Sequence, residues 1–221
     1  MAEIFIYDII GEGLFEDGVT AAGVRDELKA ADGADVLVRI NSPGGNPFEG
    51  VAIKTLLDGY DGSVSVQVDG LAASAASIIA LAGSSVAMAD GAMLMVHDPW
   101  TITVGDEAEH QRTTSALGKI ADSMAGMYAK RTGGSSDAMR ELMVAETWMA
   151  ADEAIGQGFA DSRIESPAAA CKIPEGFGYK NAPKNAPKPA TKTPEPVTNK
   201  AQYAATIRKR KIDLTRAEMH A

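Results

Sequence analysis

Apolar and polar positions change period several times along the 221-residue chain, and each change marks an element. Ile4-Phe5-Ile6-Tyr7 is short, apolar and rich in strand formers. Gly11, Gly13 and Gly18 then punctuate a loop. Thr20 is placed to cap a helix from about Ala21 to Ala30, with Val24 and Leu28 on one face. Val36-Leu37-Val38-Arg39-Ile40 reads as a buried strand ending at Asn41-Ser42-Pro43-Gly44-Gly45. Phe48, Val51, Ala52, Leu56 and Leu57 repeat at helical spacing after that turn. Val64, Val66 and Val68 alternate as another strand, which runs into Asp69-Gly70 and then a small-residue helix from about Ala75 to Ala82. Strand signals return at Val86-Ala87-Met88 and at Met93-Leu94-Met95-Val96.

Farther along, Leu117, Ile120, Met124 and Met127 set the apolar stripe of one long amphipathic helix, from about Asp106 to Lys130. Thr132-Gly133-Gly134-Ser135 breaks it. Short helices follow, around Asp137 to Val144 and Asp152 to Gly156, the second leading into Phe159-Ala160-Asp161. Strands alternating with helices at this spacing predict a layered α/β fold with largely parallel strands. The pattern fails after about Glu165. Six prolines lie between Ile173 and Val197, interleaved with lysines, in a stretch with too little apolar surface to fold alone. The expected organisation is a folded body over residues 1–165 and a disordered or extended linker over 166–200. A basic segment over 201–221 would follow, with Tyr203, Ile207 and Leu214 in a weak helix that orders on binding.

Composition narrows the class. Hydrophobic residues make up 45% and charged residues 23%, as in soluble globular proteins. Aromatics are only 5% while Ala and Gly abound, so the core is packed from small residues. No apolar run approaches the roughly 20 residues a membrane helix requires, and Met1-Ala2-Glu3 lacks the basic flank of a signal peptide. The single Cys171 forms no internal disulfide and has no neighbouring metal ligands. A cytosolic, soluble protein without membrane attachment is expected.

The net charge of −9 is unevenly spread. Residues 172–221 hold 11 Lys/Arg against 4 Asp/Glu, whereas the preceding residues hold 10 against 26. So acidic a body repels a phosphate backbone and argues against nucleic acid as a partner. The basic tail suits an acidic surface, such as the body of a neighbouring subunit, or is simply solvated.

A hydrolase without a metal needs a nucleophile, a base and donors for the developing oxyanion. Only His97, His110 and His220 can supply an imidazole. His220 lies in the basic tail, and His110 sits among charges at the start of the long helix. His97 ends an apolar strand, where ligand sites collect in α/β folds. Its candidate partner is Ser74 in Gly70-Leu71-Ala72-Ala73-Ser74-Ala75-Ala76, at a strand-to-helix transition flanked by small residues. Ser is also a good helix cap, and Ser77 lies one turn on, so both alternatives stay open on local sequence alone. After the buried strand, Gly44-Gly45 permits an N–H to point at a ligand, and the Gly45 and Ala75 N–H groups together make a candidate oxyanion hole. Standing alone, Pro-Gly-Gly is merely a turn.

Taken together, these segments resemble the Clp protease proteolytic subunit family, within the superfamily that also contains the crotonases. Ile40-Asn41-Ser42-Pro43-Gly44-Gly45 matches its glycine turn, and Gly70-Leu71-Ala72-Ala73-Ser74-Ala75 its nucleophile segment, with Ala75-Ala76 in place of the usual Met-Gly. Met95-Val96-His97-Asp98-Pro99 resembles its histidine segment. Glu146-Thr147-Trp148-Met149-Ala150-Ala151-Asp152-Glu153-Ala154, followed by Gly158-Phe159-Ala160-Asp161, resembles the segment with the third triad member. The likeness spans roughly Ile4 to Ile164.

That resemblance implies a ClpP/crotonase-like α/β spiral of ββα units, homo-oligomeric rings and cofactor-free hydrolysis of peptide bonds. It implies Ser74 as nucleophile, His97 as general acid/base, and Gly45 and Ala75 as oxyanion donors. The third role falls to Glu146, where the family has Asp. Asp98 is the local alternative, disfavoured because adjacent strand residues face opposite ways. The chain begins almost at its first strand, and His97-Asp98-Pro99-Trp100-Thr101, Tyr128-Ala129-Lys130-Arg131-Thr132-Gly133 and Glu146-Thr147-Trp148 look like the phage and prophage branch. That branch implies a head maturation protease cutting scaffold, portal or capsid proteins, in the host cytoplasm or prohead. The alternatives are a housekeeping Clp subunit working with an unfoldase, an inactive structural ring protein, and a crotonase-like acyl-CoA enzyme. The last is disfavoured for want of a long C-terminal helical region to close over CoA.

Overall fold

The computed structural model describes residues 1–11, 18–167, 169, 173 and 177–183. The expected basic segment over 201–221 lies outside the described residues, as does most of the expected linker. Among the described residues, seven strands form one sheet: β1 (Ala2–Tyr7), β2 (Val36–Ser42), β3 (Val64–Ala73), β4 (Ser85–Asp90), β5 (Met93–Val96), β6 (Thr147–Ala150) and β7 (Ser162–Pro167). Strands β1-β2-β3-β4-β7 run side by side, all parallel. Alternation along the first three strands drives Ile4, Ile6, Val36, Val38, Ile40, Val64, Val66 and Val68 into the core.

The helices are α1 (Ala21–Ala31), α2 (Pro47–Asp58), α3 (Ala75–Ala80), α4 (Glu107–Thr132), α5 (Ser136–Val144) and α6 (Ala151–Gly156). Thr20 caps α1 as expected, its hydroxyl accepting from the Gly23 N–H, while Asn46, Asp106 and Ser135 cap α2, α4 and α5. Helix α4 is about 39 Å long at 1.5 Å per residue. Its buried residues, Ala121, Met124, Ala125 and Tyr128, all lie in its C-terminal half.

Strand β3 is the structural pivot. Its first half pairs with β4 from Ser65 to Val68, and its last residues, Leu71 to Ala73, pair with β5. The periodicity predicts a strand ending near Asp69-Gly70, yet β3 runs on to Ala73 because Asp69 is buried with its partners in place. Arg39 donates to it through Nε at 2.9 Å and Nη2 at 2.8 Å, and Tyr7 and Gln67 add bonds of 2.6 and 2.7 Å. This extension carries the chain to Ser74 beside β5. Strand β6 pairs antiparallel with β5, setting Val96 opposite Thr147.

Candidate active site

Ser74 occupies the N-cap position of α3, but its side chain makes no capping bond. Its Oγ instead lies 2.8 Å from Nε2 of His97. The backbone there is bent sharply, with φ 54° and ψ −121°, a conformation that L-residues avoid and that costs of order 1–3 kcal/mol. Several bonds hold it. The Ser74 N–H donates to the Met95 carbonyl at 3.0 Å, and the Ser74 carbonyl accepts from the Ser77 N–H at 2.9 Å and the Ser77 hydroxyl at 2.6 Å. Ser77, fully buried, shares a 2.8 Å bond with the Tyr128 hydroxyl. The rival hydroxyl is thus built into the core, and only Ser74 meets an imidazole.

His97 follows directly on β5 and is 7% exposed. Burial holds its pKa below the ordinary imidazole value, and the nearby Glu146 and Asp98 charges only partly offset this. The ring is therefore neutral near pH 7 and able to accept a proton at Nε2. His110 lies exposed on α4, away from this pair, and His220 is outside the described residues.

Gly44 and Gly45 form the opposite wall, with φ of 95° and 149°. A Cβ on Gly44 would stand 2.6 Å from the Ala73 carbonyl oxygen and 2.8 Å from the Ser74 Cβ. Only glycine lets the two segments approach so closely. Ile10 binds the Gly44 carbonyl and the Asn46 N–H, both at 2.9 Å. The Gly45 N–H between them faces the other edge. The Ala75 N–H opens α3 and has no acceptor within the helix.

Glu146 is 9% exposed and sits just before β6 with φ 50°. Its carboxylate accepts from Trp148 Nε1 at 3.2 Å, the Lys180 N–H at 2.8 Å and the Asn181 N–H at 2.7 Å. Burial works against its charge, but these three donors and His97 outweigh it and hold its pKa below the usual range. Among the described residues, the His97 ring hydrogen-bonds only to Ser74. Glu146 is near enough to act on His97 electrostatically, without a direct bond. Asp98 instead forms an ion pair with Arg140.

The periodicity and motifs did not anticipate a second feature. Residues 179–181, inside the expected linker, lie against the site. Tyr179 sets its ring edge-on to His97 at 5.2 Å and to Trp148 at 5.7 Å, and donates its hydroxyl to the Pro43 carbonyl. The signal was present as two aromatics, Phe177 and Tyr179, in an otherwise Pro- and Lys-rich stretch.

Comparison with known proteins places this geometry. The family model described as Clp protease matches residues 18–167. The chain is 30% identical over 168 residues to an ATP-dependent Clp protease proteolytic subunit 1 of Protochlamydia amoebophila, covering 74% of this chain and 80% of that protein. It is 28% identical over 159 residues to an ATP-dependent Clp protease proteolytic subunit of Bacteroides fragilis, covering 69% and 77%. The fold is also that of a ClpP1 mutant from Listeria monocytogenes, with a TM-score of 0.65 and 22% identity over 74% of this chain and 91% of that one. Matched over more than half its length by the family model, the chain belongs to the Clp protease family.

Proposed function

We propose that the protein is a serine endopeptidase in which Ser74 is the nucleophile and His97 its general base. The observation that carries this reading is the 2.8 Å contact between Ser74 Oγ and the Nε2 of the buried His97 imidazole. Ser74 Oγ attacks the scissile carbonyl carbon as its proton passes to His97 Nε2. The carbonyl oxygen takes up the negative charge between the N–H groups of Gly45 and Ala75. Collapse of the tetrahedral species breaks the C–N bond, and His97 gives its proton to the leaving amine. Water then repeats the sequence on the acyl-serine and frees the acid. Glu146 stabilises the imidazolium that forms in each half, and no cofactor takes part.

The substrates in this reading are scaffold, portal or capsid precursors of a phage head, cut without ATP by a homo-oligomeric ring. It rests on the motif likeness around His97, Tyr128 and Glu146. The relatives named as ATP-dependent subunits favour a second reading, in which the ring degrades proteins delivered by an unfoldase. Incubation of the purified protein with assembling capsid precursors, without ATP, separates the two. Discrete cuts at defined sites support the maturation role. Precursors left intact, with degradation appearing only on adding an unfoldase and ATP, support the second.

A further inference from the structure

Residues 179–181 lie against His97, Glu146 and the glycine turn. Tyr179 packs with Trp148 against Leu71, Ala73 and Met95, and its ring edge meets His97. Its hydroxyl is bound by the Pro43 carbonyl in the glycine turn. The next two backbone N–H groups, of Lys180 and Asn181, each take one oxygen of Glu146, and the Asn181 side chain donates to the Ala145 carbonyl at 2.9 Å. An aromatic side chain in an apolar socket, with the backbone that follows anchored through its N–H groups, is how a cleft holds a peptide. Meanwhile the carboxylate that would receive the imidazole N–H is engaged by the segment instead.

The geometry points to this segment as an internal ligand: residues 177–181 fill a peptide subsite that takes an aromatic side chain, and they keep the site closed until displaced. The inference rests on the proposed roles of Ser74, His97 and Glu146. A substrate peptide presenting a Tyr or Phe would displace Tyr179 from its socket, and release of Lys180 and Asn181 would free Glu146 to turn to His97.

The test uses the full-length chain and the rate at which a fluorophosphonate labels Ser74. Tyr179→Ala is expected to raise that rate about tenfold or more. Asn181→Pro, which removes one N–H from Glu146 outside the core, is expected to raise it as well, and Tyr179→Phe to give an intermediate rate. A synthetic peptide spanning Phe177 to Pro183, added to the Tyr179→Ala protein, is expected to slow labelling again, whereas the same peptide with Ala for Tyr179 is not. Unchanged or slower labelling in both Tyr179→Ala and Asn181→Pro would overturn the inference, since the segment would then complete the site instead of covering it. Calorimetric titration of that peptide into the Ser74→Ala/Tyr179→Ala protein separates the two claims. Tyr-dependent binding without labelling of any variant leaves the internal ligand standing and removes the role of Ser74. Ser74-dependent labelling without peptide binding does the reverse.

Discussion

Ser74 and His97, 23 residues apart, meet at 2.8 Å because β3 and β5 run parallel with Ala73 opposite Met95. The register carries both chains past the sheet edge side by side, and the bond from the Ser74 N–H to the Met95 carbonyl locks that alignment. Ser74→Ala is therefore expected to abolish fluorophosphonate labelling and peptide cleavage, with the melting temperature little changed. Labelling at another serine, found by mass spectrometry of the adduct, would reassign the nucleophile.

Ser77→Ala should behave differently. It strips the Tyr128 hydroxyl of its buried partner, at a cost of about 1–3 kcal/mol. Burial already pushes the Tyr128 phenol up, so the hydroxyl cannot escape the penalty by ionising. Chemical denaturation should show the loss of stability, while labelling of Ser74 persists at a reduced rate.

The pH dependence follows from His97. Its folded-state pKa lies below the ordinary 6.5, chiefly through burial. The labelling rate should rise with pH along a limb whose midpoint lies below 6.5, and Glu146→Gln should move that midpoint lower still by removing a charge that favours the imidazolium. The same depression affects stability. The unfolded chain binds the proton first as pH falls, so the His97 contribution is intact above the unfolded value and is lost as pH drops through the folded one. A midpoint above 6.5 would contradict the burial argument.

Glu146 and Asp98 are separable by their partners. Asp98→Asn breaks a part-exposed ion pair with Arg140, so it should cost roughly 0–1 kcal/mol of stability and leave turnover near wild type. Glu146→Gln in the Tyr179→Ala background should lower kcat at least tenfold, with little change in KM. The opposite order would hand the orienting role to Asp98.

Gly44→Ala should damage the site more than its size suggests. The new Cβ would meet the Ala73 carbonyl and the Ser74 Cβ at a φ of 95°, costing about 1–3 kcal/mol and displacing the serine. Gly33→Ala provides the control: φ is also positive there, at 79°, but the Cβ meets nothing within 4 Å. Labelling should fall sharply in the first variant and hold in the second.

Much of this arrangement was legible in the residues themselves. Alternating Val and Ile defined β2 and the start of β3, and the scarcity of histidine singled out His97. The continuation of β3 through Asp69-Gly70 was hidden, because its warrant is tertiary: Arg39, Tyr7 and Gln67 satisfy a buried charge that local sequence reads as a turn. Strands β6 and β7 were also unseen, the first only four residues long and the second largely polar. The positive φ at Ser74 and Glu146 leaves no mark in the residue types, since neither is a glycine. The contacts of residues 177–183 escaped because composition speaks for a whole stretch and not for two aromatics within it.

The antiparallel pairing of β5 with β6 separates what can change from what must stay in place. Val96 faces Thr147, so His97 and Glu146 stand side by side at the same end of one strand pair, with α4 and α5 forming the excursion between them. Both ends of that excursion are fixed by the sheet and not by the helices. A change of length or surface in the exposed N-terminal half of α4 can therefore suit a new neighbour without moving the two residues apart.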